Sequence, residues 1–141
     1  MVALDLGEAR IGVAVSDPLG ISAQPLAPLA CVGPRKDLAR IEALVREHEA
    51  ATVVIGLPLT LAGEEGPAAA KARGFGASLA QRLPRTRIEF WDERLSTVEA
   101  ERVLVAGNVR RRRRREVVDG LAAVLILQGF LDAGGAAVPS P

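Results

Sequence analysis

Apolar positions recur along this chain with two different periods, and the alternation between them predicts its elements. Val2 to Leu6 is a short apolar run closed by Gly7, and Ile11 to Val15 is a second, with GEARIG between them as a hairpin turn. Ile21 to Leu29 contains Pro25 and Pro28. It fits only an edge strand or an extended arm, because proline has no N–H to give a central ladder. From Arg35 to Glu49 the spacing changes: Leu38, Ile41, Leu44 and Val45 repeat as on one face of a helix. Thr52 to Pro58 (TVVIGLP) is a β-branched run of the buried parallel kind. A loop at Gly63–Gly66 leads to an alanine-rich helix from about Pro67 to Leu83, and Arg87 to Trp91 is a further strand. Ser96 opens a helix ending near Gly107, since Ser96-Thr97-Val98-Glu99 forms a capping box. Glu116 to Leu131 is apolar nearly all round, hence a buried helix, and residues 134–141 are expected to be a loose tail. Three antiparallel strands followed by alternating helices and strands predict one mixed α/β sheet with helices on both faces.

Composition narrows the classes. At 141 residues, 49% hydrophobic and 25% charged, the chain fits one globular domain. A single cysteine, Cys31, excludes an internal disulfide framework and a cysteine-rich zinc site, and points to a reducing compartment. No signal peptide is expected, and no run approaches the roughly 18 apolar residues of a membrane span. The net charge of +1 conceals a division. Residues 94–116 carry eight arginines against three acids, a net +5, which leaves −4 on the rest. Arginine outnumbers lysine 16 to 2, which suits bidentate contacts to phosphate. Charge alone does not separate nucleic acid from an anionic membrane surface.

Three acids stand out. Asp5 lies within an apolar strand, where an unpaired carboxylate costs several kcal/mol unless it is bonded, protonated or bound to a cation. At about 100° per residue, Asp119 shares a helix face with Ala123, Ile126 and Phe130, opposite Gln128 and Asp132. A first-turn aspartate favours the helix dipole, but that does not account for apolar neighbours. Asp92 and Glu93 close a strand at the carboxyl end, where open α/β sheets bind ligands. Adjacent residues there point oppositely, so the sequence leaves the choice open; Glu93 is favoured. Converging carboxylates call for divalent cations, and hard oxygen ligands select Mg²⁺ or Mn²⁺.

The segments LDLGEARIGVAVSD (Leu4 to Asp17), VVIGLPLTLAGEEG (Val53 to Gly66), DERLSTVEAE (Asp92 to Glu101) and VVDGLAAVLILQGFL (Val117 to Leu131) together resemble the YqgF, or RuvX-like, family. The resemblance runs in order along almost the whole chain. It implies a ribonuclease H-like fold: a mixed five-stranded sheet of order 3-2-1-4-5 in one domain, residues 1–133. It also implies a cytoplasmic, metal-dependent nuclease that matures the 5′ end of the 16S ribosomal RNA precursor. Asp5, Glu93 and Asp119 would then be its catalytic, metal-holding acids.

The arginine run Arg110, Arg111, Arg112, Arg113, Arg114 and Arg115 lies just before the Asp119 helix and would hold phosphates. Such a run is otherwise simply a solvated charge cluster. Arg10 and Arg94 are further phosphate clamps or else structural ion partners. Ser96 and Thr97 read as caps, His48 as a surface residue, and Phe90 and Trp91 as core. A Holliday-junction resolvase acting on branched DNA and a silent RNA-binding module are the competing functions, with a monomer or weak dimer expected. A two-lobed ATPase, which Asp5-Leu6-Gly7 also resembles, needs more chain than one such domain.

Overall fold

A computed structural model describes residues 1–95 and 111–134, and of residues 111–120 it describes the backbone. The helix expected from Ser96, Arg110 and the tail from 135 onward lie outside the described residues. Five strands form one sheet: β1 (Val2–Leu6), β2 (Arg10–Ser16), β3 (Ala23–Ala30), β4 (Thr52–Leu57) and β5 (Arg87–Asp92), in the order β3-β2-β1-β4-β5. β1 to β3 pair antiparallel, with Leu6 opposite Ile11 across the first turn; β4 joins β1, and β5 joins β4, in parallel. β3 is the edge that its prolines require, and its ladder on β2 slips between Ile11 and Val13.

The helices are α1 (Pro34–Glu47), α2 (Pro67–Arg82) and α3 (Arg111–Asp132). Proline opens both α1 and α2, where its missing N–H has no helical acceptor. Strand alternation sorts the core into two layers. Val2, Leu4, Val53, Ile55 and Leu57 pack with α1 and α2, whereas Ala3, Ala14, Val54 and Trp91 meet Ala122, Ala123, Ile126, Leu127 and Phe130 of α3. Trp91 and Phe130 cross edge to face at 6.3 Å, and His48 lies at the surface. The Gln128 side chain, on the other side of α3, accepts from Ala23 N–H at 3.1 Å and donates to the Ile21 carbonyl at 3.2 Å. That bond fixes the helix against the β3 edge.

One boundary differs from expectation. The last helix begins at Arg111, not Glu116, so Arg111 to Arg115 belong to α3 and do not precede it. Arginine is a good helix former, and a charge run read as solvated loop overlooked that propensity.

Gly74 stands inside α2, exposed, with nothing within 4 Å of where its Cβ would be. Interior glycine costs about 1 kcal/mol against alanine in a helix. Gly74→Ala is therefore expected to raise unfolding free energy by about 0.5–1 kcal/mol, read as a later urea midpoint at unchanged slope. A lower midpoint would mean that the site is constrained. Among the described residues no helix is long and apolar enough to cross a membrane.

Candidate active site

The central strand decides where Asp5 goes. Asp5 follows Ala3 onto the α3 side of β1 and is buried at 6% exposure. It lies one residue past the last β1–β4 pair, Leu4 with Ile55, which brings it level with Gly56. By the same alternation Gly56 follows Val54, and Glu93 follows Trp91, to that side. Asp92 follows Ile88 and Phe90 toward α2. The ambiguity between the two acids is thus a question of strand parity, which a sheet with assigned faces answers.

Contacts agree with parity. Asp5, Gly56 and Glu93 line one cavity of about 220 Å³ at the carboxyl ends of the strands, with Leu6, Gly7, Pro58 and two alanines of α2. Glu93 begins a short 3-10 turn (Glu93–Leu95) that follows β5 directly. A Cβ on Gly56 would lie 2.6 Å from Glu93 Oε1 and 2.5 Å from Ile126 Cδ1. The absent side chain at Gly56 is therefore the space in which the Glu93 carboxylate rests, against α3. Gly56 went unnoticed in the sequence, although a glycine inside a β-branched strand is the usual sign of such a close approach.

Asp92 is committed elsewhere. Arg94 donates to it from the backbone N–H at 2.9 Å, from Nε at 3.0 Å and from Nη2 at 2.7 Å. The Arg94 guanidinium holds the Asp92 carboxyl below the ordinary 3.8, and burial opposes it. Arg94 in turn is raised by Asp92. It also flanks the loop after β4, since a Cβ on Gly63 would meet its Nη1 at 3.2 Å. Arg94, a phosphate clamp or ion partner by sequence, is here an ion partner. Because the native carboxyl titrates below 3.8, the pair stabilises fully above that pH and is lost as pH falls through the lowered value. Asp92→Asn should flatten the acid limb of stability, seen as a smaller melting-temperature difference between pH 6 and pH 3. An unchanged difference would remove Asp92 from acid unfolding.

Arg10 opens β2 across the hairpin from Asp5, half-buried, with its carbonyl accepting Gly7 N–H at 2.9 Å. The side chains of Asp119 and of Arg111 to Arg115 lie outside the described residues, as does Arg110. Among the described residues no three His, Cys, Asp or Glu side chains gather as a metal group. The donors that do meet, two carboxylates without cysteine or histidine, are hard oxygen ligands of the kind that Mg²⁺ and Mn²⁺ take.

A family model described as "RuvX: Holliday junction resolvase" matches residues 1–133. Among curated proteins, one from Myxococcus xanthus is 52% identical over 92% of this chain and 85% of its own length. One from Pelotomaculum thermopropionicum is 47% identical over 96% and 88%, and both carry the name "Putative pre-16S rRNA nuclease". A solved structure of Thermus thermophilus RuvC in complex with a Holliday junction superposes with a TM-score of 0.60. It covers 97% of this chain and 98% of its own at 16% identity, which bears on the fold alone.

Proposed function

This chain belongs to the RuvX family, and from that premise we propose that it is a metal-dependent nuclease. Its substrate on this reading is structured RNA, and its task is maturing the 5′ end of the 16S ribosomal RNA precursor, as its relatives' name suggests. The observation that carries the reading is the meeting of Asp5 and Glu93 around the open face of Gly56. Asp119 is the proposed third acid: the helical repeat sets position 119 on the face of Ala123 and Ile126, about two turns before Ile126.

Asp5, Glu93 and Asp119 would hold Mg²⁺ or Mn²⁺. When bound, such a cation supplies charge to the developing phosphorane oxygens and lowers the pKa of water. The chain's own part is to fix the acids on a central strand, a strand-end turn and a packed helix. Arg10 and Arg110 to Arg115 would seat the sugar–phosphate backbone. Each such contact steepens the salt dependence of binding by roughly 0.7–0.9 log units per log salt. A cytoplasmic monomer or weak dimer accords with this reading.

The family description favours a second substrate, branched DNA, on which symmetrical cutting calls for two sites at one junction. Precursor ribosomal RNA and a four-way DNA junction, digested side by side with and without Mg²⁺ or Mn²⁺, separate the two. Cation-dependent RNA cleavage is expected. Faster symmetrical cutting of the junction would favour the resolvase, and cleavage of neither would leave a binding module.

A further inference from the structure

The cavity that holds Asp5 and Glu93 has a larger neighbour. It measures about 550 Å³ and runs along α2 between the first hairpin and the start of α1. The two share Leu6 and Gly7 as a common wall, and consecutive residues of α2 divide between them, Ala72 to the acid cavity and Lys71 to its neighbour. The two cavities therefore adjoin across the end of β1.

We propose that this second cavity receives one unstacked nucleobase of the substrate strand, next to the bond that is cut. Its volume lies in the range of about 300–1,000 Å³ that flat small ligands occupy. Its walls are chiefly apolar, with Leu6, Leu38 and Phe75 among them, which suits the two faces of a base. Glu8 and Lys71, both exposed, and the buried Asp37 bring two carboxylates and one ammonium to the lining. A base edge carries both donors and acceptors, so charges of both signs match it better than they match phosphate. Gly74 supplies a separate argument. It lines the cavity from inside a helix, nothing packs over it, and its helix is weaker for it. Open space is what that glycine maintains.

The inference rests on the nuclease reading for the kind of chain bound, but its test does not need cleavage. Gly74→Leu starts its side chain where nothing lies within 4 Å of the Cβ and is expected to fill the cavity, while Gly74→Ala controls for helix stability. Binding is measured in EDTA to an RNA in which an abasic site is walked along the strand on either side of the cut bond. In the parent, one abasic position should weaken binding about tenfold. Gly74→Leu, folded by its melting curve, should lose that sensitivity, and Gly74→Ala should keep it. Equal binding at every abasic position, or a sensitivity that survives Gly74→Leu, overturns the proposal. Cleavage without base sensitivity would remove only the cavity's role. Base-sensitive binding without cation-dependent cleavage would remove only the nuclease reading, and no binding at all would remove both.

Discussion

Asp5→Asn is expected to lower cation-dependent RNA cleavage by about a thousandfold or more while leaving the fold intact. A thousandfold corresponds to about 4 kcal/mol of barrier, within what a bound cation contributes to a phosphoryl-type transition state. The isostere keeps the volume of Asp5 at the centre of the sheet, between β2 and β4. It removes the charge that makes the group a ligand. The fold should hold, because the amide keeps the volume and much of the hydrogen-bonding capacity of the group. The measurement pairs initial rates at saturating Mn²⁺ with thermal melts in EDTA. Parental cleavage by a folded Asp5→Asn protein would sink the metal-site assignment. Loss of both activity and melting transition would assign Asp5 to structure.

Gly56→Ala should have the second-largest effect, from a single methyl group that carries no chemistry of its own. That methyl would fall at 2.5–2.6 Å from both Ile126 Cδ1 and Glu93 Oε1, so one or both must move. Ile126 belongs to the packed face of α3, whereas Glu93 is half-buried on a short turn and yields more readily. Displacing it by about 1 Å should reduce cleavage by about a hundredfold, as small misplacements in positioned sites do. Overpacking should cost about 1–3 kcal/mol of stability besides. The informative comparison is Glu93→Gln: if displacement of Glu93 explains the loss, adding Glu93→Gln to Gly56→Ala should cost little more. Full additivity of the two losses would show that Gly56 acts by another route.

Sequence patterning was sufficient for the architecture because both periods are strong here. The apolar runs of β1 and β2 and the β-branched TVVIGLP run of β4 mark buried strands, and Pro25 and Pro28 place β3 at an edge. Asp5 was legible for a related reason, since a charge inside an apolar strand contradicts its surroundings. The choice between Asp92 and Glu93 was not, because it depends on which sheet face each residue takes. Only the packing of Phe90 and Trp91 into different layers assigns those faces. Arg94 shows a second limit. An arginine beside two acids looks alike in sequence whether it awaits phosphate or is bonded to its neighbour, as it is to Asp92. Gly56 and Gly74 illustrate a third: a glycine's meaning is the space around it, full in one case and empty in the other.

The prolines of β3 have a consequence for how copies of this protein can meet. An outermost strand ordinarily offers a row of unpaired N–H and C=O groups on which a second sheet can zip. Pro25 and Pro28 break that row in an eight-residue strand, so edge-to-edge aggregation is discouraged there. The opposite border, β5, has six residues and no proline, and it ends at the Asp92–Glu93 turn. Any pairing of two sheets edge to edge is therefore disfavoured along β3 relative to β5.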